Sequence, residues 1–242
     1  MKIVAKTDAG KVRKSNQDSY AAGELPNGVA WAVVCDGMGG SAGGNIASST
    51  AVKMISEQIT SGYREGMSTL SIENILVTAI TNANISIFDM SRANEELKGM
   101  GTTVVAAIIA NNVVYIAHAG DSRAYLVSED GIKQITKDHS VVQAMVETGE
   151  LTPEQAKIHP RKNLITRALG VNEDIKIDFC EQVFSNDNVL LMCTDGLTNY
   201  VEADDIYNIT SSGKYYEFAD KLVELANNNG GGDNITVVVV AN

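Results

Sequence analysis

Apolar positions along this chain recur with two different periods. Within residues 71–88, Ile72, Ile75, Leu76, Ala79, Ile80, Ala83 and Ile87 fall at spacings of three, one, three, one, three and four. Those spacings form one stripe on a 3.6-residue period and predict a helix. Residues 45–59 (Ala47, Ala51, Met54, Ile55, Ile59) and 216–226 (Phe218, Leu222, Leu225, Ala226) predict two more. Thr152-Pro153-Glu154-Gln155 opens a short helix after Gly149: Thr is the cap, Pro the first helical residue and Gln the third.

The other apolar runs are shorter and rich in β-branched residues. Residues 3–7, 30–35, 103–109, 113–118, 124–128, 189–194 and 235–240 predict strands. Asn111-Asn112 splits the longest apolar tract, 102–117, into two strands joined by a tight turn. That tract is also shorter than the roughly 20 residues a membrane-spanning helix needs. No repeat or linker divides the chain, so residues 1–242 are expected to form a single domain. Runs of strands stand apart from runs of helices. The expected fold class is therefore α+β, with two antiparallel sheets packed together and helices outside.

Composition narrows the surroundings. A hydrophobic fraction of 44% and no apolar leader at the N-terminus fit a soluble, cytoplasmic protein with no membrane role. A net charge of −11 without a Lys/Arg cluster repels the nucleic-acid backbone. Cys35, Cys180 and Cys193 are odd in number and lack CxxC spacing, which indicates neither a disulfide framework nor a thiolate zinc site. Two of them lie in apolar runs and read as small hydrophobes in a reducing compartment.

Most of the 30 acidic residues are expected on a solvated surface. A few break the pattern. Asp36 follows 30–35, Asp121 follows 113–118, Asp195 follows 189–194, and Asp233 precedes 235–240, each next to or near glycine. A carboxylate beside a core costs several kcal/mol unless it is paired or binds a metal. Asp-Gly is also a common turn signal, but four strand-end aspartates with few basic residues nearby favour convergence on hard divalent cations. An all-oxygen set without a His/Cys cluster selects Mg²⁺ or Mn²⁺ over zinc, and the absence of a contiguous DxDxDG loop argues against calcium. A pair of such ions suits phosphoester hydrolysis. On the residues alone the reading stops at a metal-dependent phosphohydrolase of unspecified substrate.

The series Arg13-x-x-Asn16-Gln17-Asp18, Asp36-Gly37-Met38-Gly39-Gly40, Gly101-Thr102-Thr103, Gly120-Asp121-Ser122-Arg123, Asp195-Gly196-Leu197 and Gly232-Asp233-Asn234 occurs in this order over essentially the whole chain. It resembles the type-2C, or PPM, family of metal-dependent protein serine/threonine phosphatases in its compact bacterial form. The resemblance implies a four-layer α-β-β-α sandwich with two, or three, Mn²⁺ or Mg²⁺ ions in a cleft at one end. By position, Asp36 would bridge two ions and Gly37 would offer its carbonyl. Asp195 and Asp233 would complete the shell, with Asp18 at or just behind it. Asp36, Asp195 and Asp233 thus carry catalysis, and Arg13 matches the phosphate-binding arginine. Asp121 matches the acid that holds a third, weaker ion with Asp195; a hydrogen-bonding role in its own turn is the alternative. Residues 140–165 resemble a flap beside the site. The expected partners are phosphorylated proteins, substrates of a serine/threonine kinase and the kinase itself, with the phosphatase acting as a monomer. A regulatory module of the same fold and a hydrolase of small phosphate metabolites are the competing readings. Met38 stands where some relatives carry a His proposed as general acid, and Met cannot donate a proton. A metal-bound water, His118, His139 or His159 would have to replace it.

Overall fold

Asn111 and Asn112 both adopt left-handed backbone angles, φ 51° and 60°. Two consecutive residues of that kind make the tight turn whose twist matches a right-handed hairpin. The turn joins two of the best-buried strands, and it lies where the sequence predicts it. The computed structural model describes residues 1–40, 43–211 and 213–242. The strands are β1 (Lys2–Asp8), β2 (Asp18–Leu25), β3 (Val29–Met38), β4 (Gly101–Thr102), β5 (Val104–Ala110), β6 (Val113–Ala119), β7 (Arg123–Ser128), β8 (Gly131–Gln134), β9 (Asp178–Val183), β10 (Val189–Cys193) and β11 (Ile235–Ala241). The α-helices are α1 (Gly43–Gly62), α2 (Thr69–Ala93), α3 (Val141–Glu147), α4 (Pro153–Lys157), α5 (Asp195–Thr198), α6 (Ala203–Ser211) and α7 (Phe218–Asn228).

One sheet has the order β1-β11-β10-β7-β8; the other runs β2-β3-β5-β6-β9, with β4 pairing β3. All the pairings are antiparallel. Because side chains alternate across a strand, β3 sends Val29, Trp31, Val33 and Cys35 toward α1 and α2 and sends Ala30, Ala32 and Val34 between the sheets. Likewise β11 packs Ile235, Val237 and Val239 against α7 and the short helices, and Val238 and Val240 between the sheets. Three apolar layers result: helices on sheet, sheet on sheet, sheet on helices. This is the expected α-β-β-α sandwich. Among the described residues no helix is long and apolar enough to cross a membrane.

The structure differs from the sequence expectation at the sheet margins. Strands β2, β8 and β9, together with α6, are absent from the predicted set. All three strands lie on sheet edges, where half the backbone is unpaired and polar residues are tolerated. Their sequences (DSYAAGEL, GIKQ, DFCEQV) accordingly lack an apolar run. Helix α6 carries only Ile206 and Ile209 as aliphatic anchors, too few to register as a stripe. In β3 the strand continues past Cys35 through Asp36 and Gly37 to Met38, because β4 pairs with it there: Gly37 opposite Thr102, Met38 opposite Gly101. Asp36-Gly37 is strand, not turn. Cys35 and Cys193 are buried and Cys180 is half-buried, all as free thiols.

Candidate metal and phosphate site

The site begins where the apolar layer between the sheets runs out. Continuing the inward rows by two residues replaces Val34 by Asp36, Met192 by Thr194 and Val238 by Thr236. Asp18 lies directly opposite Asp36 across the β2–β3 pair. Four carboxylates (Asp36, Asp121, Asp195 and Asp233) line a cleft of about 460 Å³ there, together with Arg13, Gln17 and the backbone of 37–40. Asp18 is buried just behind them.

Each acid is held by its own surroundings. The Asp18 Oδ2 accepts hydrogen bonds from the Thr194 and Thr236 hydroxyls at 2.9 and 2.7 Å, while its Oδ1 is buried without any partner. The backbone of Asp36 is fixed by the Gly101-Thr102-Thr103 motif. Its carbonyl accepts from the Thr102 hydroxyl at 2.8 Å and the Thr103 N–H at 2.9 Å, and its N–H donates to the Thr103 hydroxyl at 2.9 Å. Asp195 opens α5 and accepts from Asn199 Nδ2 at 3.0 Å. Asp233 is gripped bidentately by Arg13, Nε to Oδ1 and Nη2 to Oδ2, both at 2.9 Å.

Three supporting residues carry no assignment in the sequence reading. Asn234, in the Gly-Asp-Asn motif, accepts from Gln17 N–H and donates to the carbonyls of Ala9 and Ser15, which folds the 9–17 loop over the cleft. Thr102 and Thr103 lie in a quoted motif and reach the site through the backbone of Asp36. The signal for all three was their place inside a motif. Their chemistry, holding backbone, leaves no mark on periodicity or charge.

Gly37 is the point of closest approach. A Cβ there would overlap the Gly44 carbonyl oxygen and lie 2.5 Å from that of Gln17, so the residue must be glycine for α1 to pack down on β3.

Electrostatically the cluster is under strain. Burial pushes Asp18 up to about 7, against the pull of Thr236 and Thr194, with the charges of Asp195 and Asp233 adding to the rise. Burial also raises Asp121 to about 8, helped by Asp195 and Asp138. Asp36 rises well above the usual carboxylate range, through burial and then its four acidic neighbours, Asp18 first. Asp195 rises through burial and the charge of Asp233, opposed by hydrogen bonds from Asp36 and Asn199.

These observations test whether divalent cations fit. An orphaned buried carboxylate oxygen, an all-oxygen donor set and mutual repulsion among acids are what a bound cation would relieve. Among the described residues, the only His/Cys/Asp/Glu trio whose ligand atoms all fall within 4.8 Å is His118, His139 and Asp178. No three of the cleft aspartates close to that distance, so the fit rests on their chemistry and burial. The residues fit.

A sign follows for stability. A carboxyl whose pKa is higher folded than unfolded binds more protons in the folded state, so stability falls as pH rises through that interval. In EDTA the melting temperature is expected to fall from about pH 4 to about pH 8, the window set by Asp18 and Asp121. Mn²⁺ at about 100 times its Kd should restore about 5–10 °C at the upper end and less at the lower. Differential scanning fluorimetry across pH reads this, and a flat EDTA profile would show that the acids ionise without cost.

Residues 140–165, the expected flap, hold two short helices, α3 capped by Ser140 and α4 with its full Thr152/Gln155 capping box. Asn163 and Ile165, from its far end, reach the cleft. None of His118, His139 and His159 lines it.

Comparisons with known proteins agree with this geometry. The family model described as Protein phosphatase 2C matches residues 9–235. The serine/threonine phosphatase Stp of Listeria monocytogenes is 40% identical over 239 residues, 97% of this chain and 93% of that protein. The solved serine/threonine phosphatase of S. agalactiae superposes with a TM-score of 0.92 at 33% identity, covering 100% of this chain and 99% of that one. A structure of the catalytic domain of the phosphatase PstP, in complex with 2 manganese ions, gives a TM-score of 0.85 at 33% identity over 98% and 96% of the two chains. The chain belongs to the protein phosphatase 2C family, the metal-dependent protein serine/threonine phosphatases.

Proposed function

We propose that this phosphatase hydrolyses phosphoserine and phosphothreonine monoesters with two Mn²⁺ or Mg²⁺ ions held by Asp36, the Gly37 carbonyl, Asp195, Asp233 and Asp18, and a third, weaker ion held by Asp121 and Asp195. The observation that carries the reading is the set of acids at the end of the inter-sheet layer, pressed together with one buried oxygen unpartnered. When bound, such ions neutralise charge at the phosphoryl group and acidify a water to serve as nucleophile.

The chain's own groups do the rest. Arg13 has five N–H donors, and Asp233 takes two of them. Three remain to grip phosphate oxygens, so Asp233 fixes the fork that binds the substrate as well as offering a ligand. The clamp of Thr102 and Thr103 keeps Asp36 from turning away. Met38 lines the cleft without offering a proton, and no histidine replaces it there.

The substrates are phosphoproteins. Their supplier in this reading is a serine/threonine kinase of the same cytoplasm, itself among the substrates. The phosphatase acts as a monomer in this reading. Residues 1–242 serve as one catalytic domain, with 140–165 as its flap. Comparing Mn²⁺-dependent phosphate release from a phosphothreonine peptide with release from nucleotides and sugar phosphates tests the reading. Preference for the small molecules would overturn it. Arg13→Ala should raise KM for the phosphopeptide about tenfold or more, with a smaller change in kcat. Arg13→Lys should not restore it, since a point charge cannot replace the fork.

A further inference from the structure

The trio His118, His139 and Asp178 is packed away from the cleft, and its geometry excludes a metal. The two imidazoles are stacked, 4.7 Å between centroids and 8° from parallel, so their in-plane lone pairs cannot meet at one ion. A guanidinium already supplies the positive charge: Arg167 Nη1 lies 2.7 Å from Asp178 Oδ1 and 2.9 Å from His139 Nε2. His118 Nε2 is taken up by the Lys137 carbonyl at 3.0 Å.

His139 has a different position of interest. It immediately precedes the flap, and its carbonyl accepts the N–H of Thr166, just past the flap's other end, at 2.7 Å. On its opposite side it holds Gly120 twice. Its N–H donates to the Gly120 carbonyl at 2.9 Å, and its Nδ1 accepts the Gly120 N–H at 3.1 Å. A backbone N–H can only donate, so Nδ1 carries the lone pair and the ring proton sits on Nε2, where the 2.9 Å approach of Arg167 Nη1 is a contact between two donors and not a hydrogen bond. That proton points to Asp178 Oδ2, 3.2 Å away.

Gly120 in turn is a constrained turn residue. Its φ is +115°, and a Cβ there would stand 2.6 Å from the side chain of Thr103. Thr103 clamps Asp36, and the next residue after Gly120 is Asp121 in the cleft. One residue thus meets both ends of the 140–165 segment through its backbone and holds the Gly120-Asp121 turn through its backbone N–H and its Nδ1.

We propose that His139 is a positioning residue that couples the flap to the Gly120-Asp121 turn, acting through its Nδ1 acceptor, with Asp178 and Arg167 holding the ring in the required orientation. The proposal rests on the reading of Asp121 as a site residue. It assigns no contact with substrate to His139.

Two near-isosteric variants separate the two ends of the ring. In His139→Asn the side-chain oxygen replaces Nδ1 and keeps the acceptor for Gly120. In His139→Gln the amide nitrogen replaces Nε2 and keeps the donor to Asp178 while withdrawing the acceptor. The Gln variant is expected to lose about tenfold or more in kcat toward a phosphothreonine peptide and to need more Mn²⁺ for half-maximal activity, with KM within about twofold. The Asn variant should stay within about threefold of the parent in all three quantities. Hydrogen exchange gives a readout independent of turnover: the Gly120 amide should exchange faster in the Gln variant, with the amides of β5 and β10 unchanged. Equal losses in both variants, tracking their melting temperatures, with Gly120 exchange unaltered, would overturn the proposal. If the parent protein favoured small phosphate esters, the proposed function would fail, while the exchange comparison would still decide the coupling.

Discussion

Asp36→Asn and Asp195→Asn are each expected to abolish Mn²⁺-dependent release of phosphate from a phosphothreonine peptide, by about 10³-fold or more. Each change removes a charge from the cleft and leaves the side-chain shape almost unaltered. What makes the result informative is the opposite expectation for stability. Asp36 sits among four acids that raise its pKa, and Asp195 is raised by burial and by Asp233. Removing either charge relieves repulsion. In EDTA near neutral pH both variants should therefore melt at or above the parent temperature, and Mn²⁺ should no longer raise it. A dead enzyme that is more stable separates a ligand from a structural acid. Retained activity in both variants would sink the assignment of these carboxylates.

Gly37→Ala should act in the other direction, through packing. Its added methyl would be driven into the carbonyl oxygens of Gly44 and Gln17. Both are backbone atoms, so no rotamer change relieves the clash. The Gln17 carbonyl also accepts from Gly37 N–H and from the Ser48 hydroxyl, so separating them breaks bonds on both sides. A loss of about 3 kcal/mol or more is expected in urea unfolding, with Mn²⁺ binding weakened because α1 and the 37–40 backbone move apart. Gly62→Ala supplies the control. At the end of α1 its Cβ would find nothing closer than 3.8 Å, and the change should stay within about 1 kcal/mol of the parent. Equal effects at the two positions would show that α1 can shift without cost.

The sequence made visible those parts of the molecule that are buried on both sides. Strands β3, β5, β6, β10 and β11 lie inside the sheets and announce themselves as apolar runs. Edge strands β2, β8 and β9 face water along one side and so carry Ser, Glu, Lys and Gln, which erases the run. The site aspartates were legible for a related reason. Asp36, Thr194 and Thr236 occupy positions where an inward row would otherwise continue apolar, and a polar residue there stands out. Asp18 was found only by its motif, because β2 was unseen and nothing local places it opposite Asp36. Asn84 shows the same limit in a helix. It lies on the apolar stripe of α2, fully buried, and bonds the 170–173 loop through both ends of its amide. A pattern of spacings marks it as an interruption and cannot reveal the loop that satisfies it. The His139 network was equally hidden: its partners are 19, 28 and 39 residues away.

The order of strands in the first sheet has a consequence for synthesis. β11 is the last strand of the chain, yet it lies inside the sheet, between β1 and β10, and pairs Ala241 with Lys2. Until it arrives β1 has no neighbour in its sheet, and the sheet cannot close. The residues just before it, Asp233 and Asn234, fix Arg13 and the 9–17 loop. A nascent chain still threaded in the ribosome through this segment holds Asp18, Asp36, Asp121 and Asp195 but can neither assemble the cleft nor orient the arginine. Phosphatase activity thus switches on only after translation has passed the final strand. Partial products that stop short of β11 are expected to be silent toward the phosphoproteins around them.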